Sequence, residues 1–152
     1  MTYERLIDET GAMIGIDGFA PDDDGVCVIA SDIGEIVIMN CTEPVECVLL
    51  NAPVTEVPAS ADAALLAALK ANRGFRDTKG ATLSVDSETN RFELSQYAFL
   101  EDLTPETLVS MIERFATTLV DLREKLDTAQ AQAGEGGGAE GLEETVSQFI
   151  RV

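Results

Sequence analysis

The sequence contains no histidine and no tryptophan, and its basic residues are few. Without histidine the chain lacks the side chain most often used as a general base at neutral pH and as a metal ligand. Ten Lys and Arg stand against 28 Asp and Glu, which gives a formal net charge of −18. A charge of this sign repels phosphate backbones and anionic lipids. We therefore expect no nucleic acid and no membrane among its partners, and a basic or aggregation-prone protein suits the charge better.

Cysteine and long apolar runs are also scarce. The three cysteines, Cys27, Cys41 and Cys47, form no CxxC pair, and there is no histidine to complete a zinc site. Their apolar, strand-like surroundings are typical of buried thiols in a reducing compartment. Charged residues interrupt the first apolar positions, and no window approaches the roughly 18 apolar residues of a membrane helix. The sequence thus predicts a cytoplasmic protein without metal or cofactor.

The residues that are present suffice for one folded domain. The chain has 152 residues, of which 45% are apolar, and a chain of this length is typical of a single domain. The composition changes after Asp127, where Ala, Gln, Gly and Glu predominate. We therefore predict a domain at residues 1–127, a flexible linker at 128–141 and a short amphipathic segment at 142–152.

Hydrophobic periodicity predicts an α+β fold. A helix precedes three Val- and Ile-rich runs typical of an antiparallel meander, and a second helix, a β-hairpin and a long C-terminal helix packed on the twisted sheet follow. The predicted elements are a helix at 2–16, strands at 26–30, 33–41 and 45–51, a helix at 61–72, strands at 80–86 and 91–97, and a helix that begins at Thr104-Pro105. Pro53 and Pro58 bracket a predicted loop between the third strand and the second helix.

The last helix carries the strongest periodic signal in the chain. Its apolar residues recur at alternating steps of four and three, which predicts one continuous stripe along the helix. Fewer than three full heptads favour packing on the sheet over a coiled coil. The stripe consists of Leu108, Ile112, Phe115, Leu119, Leu122 and Leu126.

The second predicted strand is apolar on both faces, because Ile36, Val37, Ile38 and Met39 follow one another. A sheet with one solvated face should alternate apolar and polar residues. Either both faces are covered within the monomer, or one face is reserved for something else. This excess of apolar residues is a first indication of a binding or dimer surface.

No pattern in the sequence indicates catalysis. No histidine is available as base for a Ser or Cys nucleophile, and no Gly-rich phosphate loop follows a strand. The acidic cluster Asp22–Asp24 fails the calcium-loop pattern, because Ala20 and Ser31 occupy two of the positions that need oxygen ligands. We interpret the cluster as a solvated turn, and the protein as a binding module with no enzymatic activity.

A set of local motifs resembles a known family. The leucine-rich helix at 65–72 ends in Asn72, a Gly-led strand follows at 80–86, and an acidic turn leads into a short strand at 91–94 before the closing helix. In this order, spread over residues 2–126, the chain resembles the class I chaperones of bacterial type III secretion, the Tir-chaperone (CesT-like) family.

The resemblance implies a homodimer that binds the N-terminal segment of a secreted effector and keeps it soluble and extended. In the family the second helix and adjoining strands build the dimer interface, which here implicates Leu65, Leu66, Leu69 and Leu83. The first helix and the sheet beside it bind the effector, partly by strand addition, which implicates Leu6, Met13, Ile14, Ile36 and Ile38.

Two other interpretations remain open from the sequence. A YbjN-like regulator of similar fold would bind a folded partner through a polar interface, and an acidic enzyme subunit would need a site completed by a partner. The segment at 142–152 has its own hypothesis: Leu142, Val146, Phe149 and Ile150 recur at helical spacing on a flexible tether. Such a segment has a high effective concentration near the effector site and would act there as a removable plug.

Overall fold

The computed structural model describes residues 1–135 of the chain. It contains three helices and five strands: α1 (Tyr3–Ile14), β1 (Val26–Ser31), β2 (Gly34–Cys41), β3 (Cys47–Glu56), α2 (Asp62–Asn72), β4 (Thr82–Asp86), β5 (Arg91–Phe99) and α3 (Pro105–Glu135). Short 3₁₀ helices follow α2 and β5 at Arg73–Phe75 and Leu100–Asp102. This order confirms the predicted α+β fold.

The five strands form one antiparallel sheet in the order β1-β2-β3-β5-β4. Helices α1 and α3 cover one face of the sheet, and α2 packs against α3 and β4. Alternate residues of β3 point toward the helices and are buried, namely Val48, Leu50, Ala52 and Val54. The core therefore lies between one face of the sheet and the helices.

Helix α1 is defined by its caps and by one close contact. The Thr2 hydroxyl accepts a hydrogen bond from the Arg5 N–H at 3.4 Å, and Gly15 ends the helix with φ 77°. Gly11 lies within the helix at a position that has no room for a side chain, because a Cβ there would overlap the Phe19 side chain. The glycine therefore lets the loop after α1 fold back onto the helix.

Helix α3 begins at a reciprocal pair of threonines. The Thr104 N–H donates to the Thr107 hydroxyl at 2.8 Å, and the Thr107 N–H donates to the Thr104 hydroxyl at 3.3 Å. All six residues of the predicted stripe are buried. The stripe thus packs on the sheet as predicted.

Two predicted boundaries were wrong. Helix α3 continues to Glu135, so residues 128–135 are not the flexible linker that composition indicated. Ala and Gln are good helix formers, and the Gln130 amide adds a hydrogen bond of 2.8 Å to the carbonyl of Ser60. The rest of the predicted linker and the segment at 142–152 lie outside the described residues.

The third strand is the other correction, since β3 runs through Pro53 to Glu56 where a loop was predicted. Its register against β5 shifts between Pro53 and Thr55. Proline has no N–H to give to a sheet, and a bulge is one of the few places where a strand tolerates it.

Candidate binding surfaces

Most of the residues predicted to bind an effector belong to the core of the monomer. Leu6, Ile36 and Ile38 are buried between the helices and the sheet, so their side chains present no surface to another chain. For these three the structure corrects the prediction. Met13 is exposed and Ile14 is half-buried near the end of α1, and their role stays a prediction.

The side of the sheet that no helix of residues 1–135 covers, which we call the open face, carries the apolar residues that alternate with the buried ones. Val37 and Met39 alternate with the buried isoleucines of β2 and are half-buried on this face. Register extends the surface across four strands, because Val26 pairs with Met39, Met39 with Leu49, and Leu49 with Tyr97. We call these four residues, Val26, Met39, Leu49 and Tyr97, the apolar row.

Further apolar groups flank the apolar row on both sides. Tyr97 is 62% exposed, and its ring meets that of Phe99 edge-on with centroids 5.8 Å apart. On the other side Val28 pairs with Val37, and Val28 is 46% exposed. Contiguous apolar surface of this kind on a soluble domain is typical of an interaction site.

The open face becomes polar toward one corner. The Asn51 amide donates to the Glu93 carboxylate at 2.6 Å, and the Ser95 hydroxyl donates to the Asn51 side-chain oxygen at 2.7 Å. Glu35 lies on the same face near the β1–β2 turn, two residues before Val37 and four before Met39, and is exposed. Acidic groups therefore border the apolar surface.

Strand β1 forms one edge of the sheet, and no strand of residues 1–135 covers its outer side. The Val26 N–H donates to the Asp22 carboxylate at 2.9 Å, and the Val26 carbonyl accepts from the Asp22 N–H at 2.8 Å. Main-chain groups in an antiparallel ladder point outward at every second residue. Those of Val28 and Ala30 therefore face outward as well, at the border of the open face.

A second apolar surface lies on α2 and on the 3₁₀ helix that follows it. Alanines Ala64, Ala68 and Ala71 form its inner side, and short side chains let the helix approach its neighbours closely. The longer side chains consequently point outward, and Leu65, Leu66, Leu69 and Phe75 are all exposed. We call these four residues the α2 surface.

The fourth predicted dimer residue does not belong to this surface. Leu83 is buried, which corrects the prediction for its side chain. Its main chain is held by Asn72, whose amide donates to the Leu83 carbonyl at 2.7 Å and accepts from the Leu83 N–H at 2.9 Å. Asn72 therefore joins the end of α2 to the edge strand β4.

The titratable groups in the core serve structure. The Tyr3 hydroxyl donates to the carbonyl of Ile38 at 3.3 Å and lies 3.7 Å from the Cys27 thiol. Burial is the main cause that raises the pKa of the Tyr3 hydroxyl well above its ordinary value, so the phenol stays protonated. Within the described part of the chain no cluster of three or more metal-ligating side chains is found, and none of its helices is long and apolar enough to span a membrane.

Several solved structures are similar over most of the chain. A chain of the HopA1–SchA chaperone–effector complex is 20% identical, with a TM-score of 0.65, and the match covers 80% of this chain and 93% of that one. A chain of the ExsC–ExsE complex is 20% identical, with a TM-score of 0.61 and coverages of 80% and 87%. For the Yersinia pestis type III secretion chaperone SycH in complex with a fragment of YscM2, the values are 16%, 0.60, 80% and 99%. These likenesses establish the fold.

The sequence itself also matches a family description. No curated protein matches the chain. The model of the Tir chaperone protein (CesT) family matches residues 5–123, from the first turn of α1 to the middle of α3. The chain belongs to the Tir chaperone protein (CesT) family.

Proposed function

We propose that this protein is a type III secretion chaperone that binds the N-terminal segment of a secreted effector in the bacterial cytoplasm. It acts by stoichiometric binding and not as an enzyme. The observation that carries the proposal is the open face: an apolar surface spanning four strands, next to a sheet edge that no other described strand covers, on a protein of the chaperone family.

The edge of β1 supports binding in extended form. A segment that pairs with the outward main-chain groups of Val28 and Ala30 gains affinity from backbone hydrogen bonds, whatever its sequence. Alternate side chains of such a strand point to the open face. The added strand therefore extends the apolar surface beyond Val28, since the outward main-chain groups of Val26 are already bonded to Asp22. This favours a partner segment with apolar residues at every second position.

The charge of the chain adds a second preference. Glu35 and Glu93 lie on the open face, and the whole protein carries a formal net charge of −18. Opposite charges speed encounter and select between partners. We infer a partner segment in which lysine or arginine flanks the apolar positions. Binding should therefore weaken as salt is added, because salt screens exposed charges.

The α2 surface supports a homodimer. Three of its four exposed apolar residues lie away from the open face on α2, the helix that the family resemblance assigns to the two-fold interface, and Phe75 lies in the 3₁₀ helix that follows. A two-fold axis brings the same patch of both subunits together, so each apolar contact occurs twice. The dimer thereby leaves both open faces available to one effector chain.

The proposal is tested with a matched pair of valines. Val28 lies on the open face and Val120 on α3, and their exposed fractions are 46% and 42%. The effector is first captured by co-purification and identified through the segment that the chaperone protects from protease. We then expect Val28→Lys to weaken its binding at least tenfold, about 1.4 kcal/mol, because the lysine disrupts the apolar surface and repels a basic segment.

Val120→Lys adds the same charge at a similar exposure and should leave the affinity within about twofold. Equal effects of the two substitutions, in titration calorimetry at one salt concentration, would exclude the open face as the binding surface. A partner that binds as a folded domain, with no protected segment, would instead support a regulator of similar fold.

A further inference from the structure

Two of the three cysteines lie directly opposite each other in the sheet. Cys41 is the last residue of β2 and Cys47 the first of β3, and the two are register partners. Both are free thiols and both are half-buried. Cys41 is two residues from Met39 and Cys47 two residues from Leu49, so their side chains lie on the same open face as the apolar row. The sheet therefore places two thiols side by side at its accessible surface.

The spacing of an antiparallel pair is suited to a disulfide. Directly opposed residues have Cα atoms about 4.5 or 5.5 Å apart, depending on the pair type. Disulfides accept Cα separations of about 4.4–6.8 Å. Both kinds of pair fall in this range, so a bond between the two sulfur atoms requires no movement of one strand past the other.

We propose that Cys41 and Cys47 form a dithiol site that closes to an intramolecular disulfide when it meets a small disulfide oxidant such as glutathione disulfide. One thiolate attacks the oxidant, forms a mixed disulfide and releases one glutathione thiolate. The second thiolate then attacks the protein sulfur and releases the other glutathione. The two protons of the cysteines pass to the two glutathione thiolates. The protein pair is thus oxidised by two electrons and one glutathione disulfide is reduced.

The surroundings slow the attack of the pair on an oxidant at neutral pH, and they keep the third cysteine apart from it. Burial and the neighbouring Cys41 thiol raise the pKa of the Cys47 thiol, so little of it is thiolate at neutral pH. Cys27 points to the core, where it contacts the Tyr3 hydroxyl and lies 3.8 Å from the Ile38 carbonyl. It is buried and lies on the opposite face of the sheet from the dithiol site.

The bond would affect the open face directly. Cys47 pairs with Cys41 of β2 on one side and with Phe99 of β5 on the other. The dithiol site therefore adjoins one of the exposed aromatic rings of the open face. Closing the disulfide draws the Cys47 side chain toward β2 and links the two ends of the loop at 42–46. The dithiol site belongs to the free protein, so its oxidation requires no effector.

The test is oxidation of the native, full-length chain with glutathione disulfide, followed by alkylation under denaturing conditions and peptide mass spectrometry. We expect a cross-link between the peptides of Cys41 and Cys47, the loss of two hydrogens, and one alkylated cysteine, Cys27. A trivalent phenylarsenoxide gives an independent measure of proximity. It should bind both thiols of the reduced protein through one arsenic atom with release of water.

Single substitutions provide the matched controls. Cys41→Ser and Cys47→Ser each remove the internal partner, so the remaining thiol should stop at a glutathione mixed disulfide and fail to retain the arsenical. Cys27→Ala should leave the cross-link unchanged. Mixed disulfides on both cysteines of the wild-type protein without a cross-link would overturn the proposal, as would three alkylated cysteines after prolonged oxidation.

Discussion

At the scale of single residues, glycine and alanine residues determine where neighbouring segments of this chain pack in close contact. Gly11 has an ordinary helical backbone, so its role is not conformational freedom but the absence of a side chain against Phe19. Alanines do the same on α2, where they turn the longer leucines outward. Close packing at these positions thus determines which apolar residues remain exposed.

We expect Gly11→Ala to destabilise the protein by about 1–3 kcal/mol, despite the better helix propensity of alanine, because the added methyl group overpacks the contact with Phe19. Urea unfolding measures the change in the free energy of unfolding. Gly134→Ala is the control, since no described atom beyond the neighbouring helix backbone lies within 4 Å of a Cβ at that position. It should be neutral or stabilise by at most about 1 kcal/mol. A Gly11→Ala protein as stable as wild type would show that the Phe19 contact yields without cost.

At the scale of elements, Arg123 joins α3 to the sheet. Its guanidinium donates to the carbonyls of Val54 at 2.7 Å, Ile33 at 3.0 Å and Pro53 at 3.3 Å. These carbonyls belong to the bulged part of β3 and to the turn between β1 and β2. One side chain thereby satisfies main-chain groups that the irregular part of the sheet leaves without strand partners.

Removing these hydrogen bonds should destabilise the fold. We expect Arg123→Met, which keeps most of the apolar stem, to lower the free energy of unfolding by about 2 kcal/mol, because three carbonyl groups lose a charged donor. Arg114→Met changes an exposed arginine on the same helix and should stay within about 0.5 kcal/mol of wild type. Chemical denaturation of the two variants compares them directly. Equal losses of stability would mean that charge, and not these hydrogen bonds, is responsible.

The same scale shows what periodicity could and could not predict. The stripe of α3 was predicted in full because six residues at helical spacing define only one face. The double-sided strand β2 was recognised as a surface signal, yet Ile36 and Ile38 were assigned to the wrong side. In a strand that is apolar at every position, the sequence does not indicate whether the even-numbered or the odd-numbered residues face the helices. Tyr97 and Phe99 were missed because they join the surface only through pairing with β3.

At the scale of the whole molecule, the charge and the two apolar surfaces act together. A net charge of −18 keeps such a protein soluble despite its exposed apolar residues, and it also opposes association of two copies. The α2 surface is where self-association has support, since residues 65–76 contain three basic residues and no acidic residue. This segment therefore lacks the dense negative charge that opposes association elsewhere on the protein.

We therefore expect a homodimer that a single acidic substitution weakens. Leu69 is 70% exposed at the centre of the α2 surface, and Leu69→Glu would place two buried carboxylates at a two-fold interface, at a cost of several kcal/mol. Sedimentation equilibrium should show a dimer for the wild type and a monomer for the variant. Val120→Glu, on α3, should remain dimeric. A dimer that tolerates Leu69→Glu would place the interface elsewhere.

The sequence by itself determined the class of the protein, the order of its elements and the stripe that holds α3 on the sheet, because these depend on composition and local periodicity. Tertiary structure decided three features: the extension of β3 through Pro53, the helix over residues 128–135, and which side chains of β2 face the core. A bulge, an added hydrogen bond and the register with a neighbouring strand are interactions between distant residues. The open face belongs to this second group, since its apolar row exists only after four separate strands have been brought into register.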